Sequence, residues 1–309
     1  MAYTVVTEDL PALHQVANRE SLAGQNSYLT LFRLNLSFLV VGSILSAYNC
    51  TSIVIMRSLH SCSAFLLASS FLLTIVIMFK NYERQWYGGR AVAESIKSCA
   101  WRYMMGAEPY LLTLEPRDVD GKFVETLQEI LGEGDNLSIS FGGALAASPQ
   151  ITRKMTSVRQ LQLQERIRIY LDDRISDQRT WYGSKSEHNT GQEKKLFAFV
   201  IISQVAALLF AIINIINPLT PLNLVGAFST LSASFLAWLQ VKRHQEQSQS
   251  YAVAAHELGC IATQAQYIST DDDFSTFVAD AETAISREHI LWVARRDRVP
   301  RFTRRGAVQ

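Results

Sequence analysis

Four stretches of this chain contain no Asp, Glu, Lys or Arg: Leu34 to Met56, Ser58 to Phe79, Leu196 to Ile216 and Leu222 to Val241. Each is roughly 20 residues long, about what a helix needs to cross a bilayer core of ~30 Å. They come as two close pairs, so the pattern predicts four membrane helices arranged as two hairpins. The first run does not read as a cleavable signal: mixed sequence precedes it, no small-residue cleavage site follows it, and a second span comes at once. Between and after the pairs the pattern is amphipathic at helical spacing. From Met155 to Tyr182, the residues Leu163, Ile167, Tyr170, Leu171 and Ile175 fall on one stripe, with Arg168 and Asp172 four apart on the opposite face. Pro149 suits the first turn of this helix. A shorter helix is expected over Gly121 to Leu131, and a last one from Thr283 to Arg296, bounded upstream by the acidic turn "TDDD". No long stretch alternates at period two, so no sheet is expected.

Some of the pattern occurs twice. "RAVAESIKSCAW" (Arg90 to Trp101) follows the first pair of apolar runs, and "YAVAAHELGCIA" (Tyr251 to Ala262) follows the second. Ahead of the pairs stand "GQNSYLTLF" (Gly24 to Phe32) and "GQEKKLFAF" (Gly191 to Phe199). Matches that keep their order and their distance from the apolar runs point to internal duplication of a two-span module. The expected organisation is a first unit at 1–115, a helix and Gly/Ser/Ala-rich linker at 116–148, and a second unit at 149–309. The fold class that results is an all-α membrane protein: four transmembrane helices as two duplicated hairpins with cytoplasmic helical extensions.

Charge sets the expected orientation. Arg19, Arg33, Lys80, Arg84, Arg90, Lys185, Lys194, Lys195, Lys242 and Arg243 flank the outer ends of the pairs, whereas the turn "NPLTPLN" carries no charge. The positive-inside bias places both termini and the middle of the chain in the cytoplasm. The net charge of the 309 residues is only +1, with 18% charged and 48% apolar, which gives no reason to expect direct nucleic-acid binding. Cys99 and Cys260 fall in the cytoplasmic parts, where thiols stay reduced. Cys50 and Cys62 lie at unequal heights around the first turn, which argues against a disulfide.

"YERQWYGGRAVAESIKSCAWRYMMGAEPY" and "LPALHQVANRESLAGQNSYLTLF" resemble the SLATT family, the two-span effector domains associated with SMODS nucleotidyltransferases and SLOG sensors. "ERIRIYLDDRISDQRTWYGSKSEHN", "WLQVKRHQEQSQSYAVAAHELG" and "DAETAISREHILWVARR" resemble a related SLATT subfamily. The resemblance implies an effector of prokaryotic antiviral defence (abortive infection) in the bacterial inner membrane. It would assemble or open there when a partner senses infection. A nucleotidyltransferase, a SLOG-domain protein or a reverse transcriptase encoded nearby would each imply a different trigger, a nucleotide second messenger among them. The family has no settled catalytic residues, so none is carried over.

Asn35, Gly42, Ser46 and Asn49 fall near one face of the first span, and Gln204, Ala207, Ala211, Asn214 and Asn217 near one face of the third. Amides in hydrocarbon need partners or water. Asn35, Ser46, Asn49, Gln204, Asn214 and Asn217 are therefore candidates either to line a pore or to hold helices together. Gly226, Thr230 and Ser234 suggest a small-residue seam in the fourth span. With no carboxylate or Lys inside the runs, a proton relay or ion-coupled transporter has nothing to work with. Arg295, Arg296, Arg298, Arg301, Arg304 and Arg305 make a basic tail that suits anionic lipid, the phosphates of a nucleotide, or simple solvation as a disordered end.

Arg287, Glu288 and His289 are adjacent on a helix and point apart, so they do not form an acid–base set. His256 and Cys260 are two ligands at most, too few for a metal site. No nucleotide loop, nucleophile elbow or zinc pair appears, so neither catalysis nor a cofactor is expected. The chain reads as a pore-forming or pore-gating membrane effector, packed as a homo-oligomer in the bilayer. The alternative is a non-conducting scaffold that recruits a cytoplasmic partner.

Overall fold

The computed structural model describes residues 4–48, 52–135, 149–218 and 220–296, with the side chains of 133–135 and 287–296 outside that description. The described chain is all-α. Its helices are α1 Ala12–Ser46, α2 Ile53–Lys80, α3 Tyr82–Met105, α4 Pro116–Asp135, α5 Arg153–Arg159, α6 Leu163–Ile169, α7 Asp177–Ile216, α8 Val225–Lys242, α9 His244–Gln264 and α10 Asp271–Arg296, with a π-helical segment Tyr170–Ser176 joining α6 to α7. The one β pairing among the described residues is an isolated antiparallel bridge between Tyr48 and Leu222. Three helical stretches, Ala12–Ser46, Ile53–Met105 and Leu163–Ile216, are long and apolar enough to cross a membrane. α8 is not among them: it has 18 residues and its last turn carries Gln240 and Lys242.

The chain divides into two compact units assembled from alternating segments. The first takes the described residues of Met1–Leu22, Arg84–Thr180 and Val253–Gln309; the second takes those of Ala23–Glu83 and Trp181–Ala252. The first has an aromatic core. Tyr103, Tyr110 and Phe123 interlock with ring centroids 4.9–6.1 Å apart, and Tyr170 meets Trp101, Phe274 and Phe277 edge-on. The carboxyl end of α3 is tied into this core. Gly106 sits in the left-handed region at φ 67°, and Ala107 N–H donates to the Arg102 carbonyl at 2.9 Å, closing a Schellman-type turn. A Cβ at Gly106 would stand 2.6 Å from Leu112. Two guanidinium groups then cap the helix end: Arg159 donates to the Tyr103, Tyr110 and Leu111 carbonyls, and Arg166 to that of Met105. Cations are favoured there by the helix dipole.

The expected long helix over Met155 to Tyr182 is interrupted. Thr152 caps α5, accepting from Met155 N–H, so Pro149 lies outside the helix rather than in its first turn. The chain then turns at 160–162 before α6. The buried face overlaps the expected stripe in part, since Tyr170 and Ile175 are buried. Leu163, Ile167 and Leu171 are only half-buried, while Arg166, Tyr170, Arg174 and Gln178 are buried at steps of four. A π turn takes up more residues than an α turn, so side chains four apart stay on one face through Tyr170–Ser176. Arg168 and Asp172, expected to pair, form no ion pair among the described residues.

The register that the π segment sets brings Arg174 to Glu282 of α10. Arg174 Nε and Nη2 donate to Glu282 Oε1 and Oε2 at 2.8 and 2.7 Å, and Tyr170 O–H donates to Oε1 at 3.0 Å. All three residues are fully buried. Burial acts against the Arg174 charge, but the Glu282 carboxylate outweighs it and keeps the guanidinium protonated. α10 is also longer than expected. "TDDD" is its capped first turn rather than a boundary upstream of it: Asp273 N–H donates to Thr270 Oγ1, and Asp273 Oδ2 accepts from Thr270 N–H. Arg166 adds an ion pair with Asp271 in the same turn. α4 likewise runs past the expected Gly121 to Leu131 at both ends.

In the second unit α1 packs antiparallel on α2, and α7 packs antiparallel on α8 and α9. Ser63 Oγ donates to the Gly42 carbonyl, and Ser232 Oγ to that of Val200. A Cβ at Gly42 would stand 3.2 Å from Leu67, so the glycine permits close approach of α1 to α2. Along α2, Met56, Leu59, Ser63, Leu66, Ser70, Leu73 and Ile77 are buried or half-buried at alternating steps of three and four, and most other positions are exposed. That spacing is a coiled-coil seam. The two turns meet at one end, where Asn223 N–H donates to the Ala47 carbonyl at 3.0 Å beside the Tyr48 bridge. At the other end α2 and α8 each stop at a lysine followed by a left-handed residue, Asn81 at φ 51° and Arg243 at φ 47°.

Glu282→Gln leaves a buried Arg174 without its counter-charge and should destabilise the protein by about 3–5 kcal/mol. The apolar pair Arg174→Met with Glu282→Leu should recover most of that loss, as read by denaturant unfolding in detergent. If the double variant is as unstable as the single one, the charge account fails. A second expectation concerns pH. Burial first, then Lys97, lowers His14 from its usual value to about 4, with Glu94 opposing and Arg174 adding to the shift. The unfolded chain therefore takes up the proton first. The associated stability is fully present above about pH 6.5 and is lost as pH falls toward 4. The melting temperature should drop across that window in the wild type and drop less in His14→Gln.

Candidate functional site

The second unit is built inside out relative to a water-soluble bundle. Most of its buried positions on the apolar helices are small or polar, among them Asn35, Ser63, Ser70, Ser203, Ala207, Ala227, Ser232 and Ser234, with Leu29 and Val200 as larger apolar exceptions. Its large apolar side chains point outward, with Phe65 71%, Met78 78% and Ile215 81% exposed. Water would oppose such a surface, whereas lipid tails are as apolar as the side chains themselves and leave the interior to close-packing small residues and hydrogen bonds.

Asn35 is the centre of the α1–α2 seam. Its Oδ1 accepts from Ser70 O–H, and its Nδ2 donates to Thr74 Oγ1 at 3.2 Å, while Thr74 O–H donates back to the Ser70 carbonyl. The other candidate residues sit in different surroundings. Ser46 is exposed and donates to the Ser43 carbonyl of its own helix. Gln204 is exposed on α7 between Ile202 and Val205. Asn214 is half-buried near the turn, accepting from Thr220 O–H at 2.9 Å, and Asn217 is exposed just beyond α7. Asn49 lies outside the described residues. Among the described residues, no hydrogen bond joins any two of these candidates. The small-residue seam of α8 also differs from the expected one. Gly226 is exposed and a Cβ there would meet nothing, while Ala227, Ser232 and Ser234 are the buried positions.

Some partners in the seam were not read from the sequence. Ser63 and Ser70 are seven apart on α2, and that heptad step was the available signal. Beyond the apolar runs the seam between α7 and α9 continues as hydroxyls and amides. Ser186 Oγ donates to the Ser248 carbonyl, Thr190 and Ser248 hydroxyls stand 2.6 Å apart, and His244 Nδ1 is 2.7 Å from Asn189 Oδ1. Burial first, then Lys242 and His188, lowers His244 to about 4, so its ring is neutral near pH 7. Chemically the seam is neutral: it satisfies its own donors and acceptors and holds helices in register.

Of the basic tail, Arg295 and Arg296 end α10 by backbone. Their side chains lie outside the described residues, as do Arg298, Arg301, Arg304 and Arg305. Arg287, Glu288 and His289 have no described side chains either, whereas Glu282 on the same helix is fully buried against Arg174. His256 and Cys260 are exposed on α9 with Nε2 and Sγ 3.8 Å apart.

No curated protein and no solved structure matches the chain. Two family models do. Residues 11–167 match the SMODS and SLOG-associating 2TM effector domain 3, and residues 170–292 match the SMODS and SLOG-associating 2TM effector domain 1. The chain belongs to the SLATT family, as two tandem SLATT effector domains of different subfamilies that cover most of its length.

Proposed function

We propose that this protein is a multi-pass effector of the bacterial inner membrane that oligomerises and forms or gates an ion-permeable pore in antiviral defence. The observation that carries the membrane assignment is the reversed surface of the second unit, with Phe, Ile, Leu and Met outside and Ser, Ala and Asn inside. In this reading α8 is the fourth span, and the spans cross as two hairpins whose turns lie on the far side. The meeting of the two turns at Tyr48, Ala47, Leu222 and Asn223 supports that arrangement. Both termini and the segment at 116–148 lie in the cytoplasm, where a SMODS- or SLOG-type partner or a nucleotide signal reaches the chain. The modules are 1–115 and 149–309.

Oligomerisation is what the pore requires. α2 touches its neighbour along one narrow seam, and Gln204 and Asn217 face outward from a single chain. A conduit lined by these neutral amides, with Asn49 and Asn214, would be assembled from several chains and would select weakly. The scaffold reading is favoured by one observation: Asn35 spends its amide on Ser70 and Thr74, as glue.

Reporter fusions at Gln309 and within 136–148 should be active only on the cytoplasmic side, and a periplasmic signal from either would sink the two-hairpin topology. Induced expression in bacterial cells should depolarise the membrane. Gln204→Leu and Asn214→Leu should reduce that depolarisation with oligomer size retained. Asn35→Leu should instead weaken assembly, by about 0.6–2 kcal/mol for lost interhelical hydrogen bonds. Persistent toxicity without any wild-type depolarisation would favour the scaffold.

A further inference from the structure

We propose that Arg33 and Lys242 form a binding collar for the phosphate of an anionic phospholipid headgroup. This rests on the membrane reading above and adds a ligand to it. Within the second unit, the Arg33 guanidinium lies 5.2 Å and the Lys242 ammonium 5.9 Å from the centre of one indole ring, that of Trp238. The Lys185 ammonium lies 5.7 Å from the ring of Trp181. Lys242 feels the charges of both Arg33 and Lys185. Two cations, Arg33 of α1 and Lys242 of α8, therefore share the Trp238 ring, while Lys185 of α7 stands at Trp181.

Among the described residues none of the three forms an ion pair, and the nearby Glu246 is taken by Arg243 at 3.5 Å. His244, next along the chain, is held neutral by burial. An aromatic face attracts a cation by about 0.5–1 kcal/mol at an exposed site but leaves its charge in place. Like charges drawn to one ring without a carboxylate make a site for an external anion.

The location selects which anion. Arg33 immediately precedes the first apolar run and Lys242 immediately follows the last. Trp238 also packs on Phe32, with ring centroids 6.3 Å apart, so the indole meets apolar as well as cationic groups. Tryptophan with such surroundings suits the level of lipid headgroups, where long basic side chains reach toward phosphate with their stems in the apolar layer. A phosphodiester tethered at that depth meets both Arg33 and Lys242 while its chains meet the apolar layer. Free phosphate shares the charge but not the apolar contact.

The test uses the full-length protein in lipid nanodiscs, with bound lipids read by native mass spectrometry. In mixed phosphatidylglycerol and phosphatidylcholine bilayers the wild type should retain phosphatidylglycerol preferentially. Each of Arg33→Gln and Lys242→Gln should lower that preference about fivefold, the change expected for ~1 kcal/mol per cation near an anionic surface. The charge-keeping pair Arg33→Lys with Lys242→Arg should retain it. Neutralising the exposed Arg117 and Lys122 of the other unit should leave it unchanged. Equal preference in the wild type and in the double glutamine variant would overturn the collar. So would displacement of the lipid by millimolar inorganic phosphate, which would make this a soluble-anion site. Carbonate extraction of cell membranes tests the underlying reading separately: wild-type protein released into the soluble fraction would remove the membrane assignment itself and the collar with it.

Discussion

A carboxylate and a guanidinium out of contact with water hold the first unit in register. Glu282 and Arg174 lie on helices far apart in the chain, and each would be costly to bury alone. Together, with Tyr170 donating to the same carboxylate, they form a fork whose geometry admits only one rotation of the π segment against α10. The same Tyr170 that donates to Glu282 also meets Trp101 and Phe274 edge-on, which ties the aromatic rings to the ion pair. Arg159 and Arg166 act on the same principle at the end of α3, turning exposed carbonyls into acceptors.

The second unit applies the rule that buried polar groups must be paired with neutral groups alone. Its apolar runs carry no Asp, Glu, Lys or Arg to pair, so serine, threonine and asparagine make the contacts there, Ser63 to Gly42 and Asn35 to Ser70 and Thr74, and Ser186 to Ser248 continues the pattern beyond them. Hydroxyls in such positions can also satisfy carbonyls of their own helix, as Thr230 does with Gly226 and Ser234 with Thr230. A seam of this kind is specific in register without being strong, since interhelical hydrogen bonds in membranes average well below the value of a charged pair.

The duplication is visible in backbone as well as in sequence. α2 and α8 each end at a lysine, and each is followed by one left-handed residue before the next helix begins. Asn81 adopts that conformation readily, whereas Arg243 does so at a cost of about 1 kcal/mol. The copies have diverged nearby. Val92 and Ala93 are buried in the first, but only Ala254 is buried in the second and Val253 is 59% exposed.

The sequence by itself determined the class of this protein. Uncharged runs of spanning length, helical spacing between them and lysines at their ends are local properties, and three of the four runs lie in helices long and apolar enough to span. It also determined the family, through short motifs on either side of those runs. The partners were decided only by tertiary structure. The spacing of Met155 to Tyr182 gave no sign that Arg166 and Arg174 belong to the core, where a π segment invisible to that spacing helps to place them. Asn35 read as lining or glue, because an amide's role depends on which helix stands opposite, and only the structure shows that it bonds Ser70 and Thr74, 35 residues and more away. Periodicity reports which face of a helix is apolar. It does not report which neighbour will satisfy the polar groups on that face, because that choice is made by residues distant in sequence.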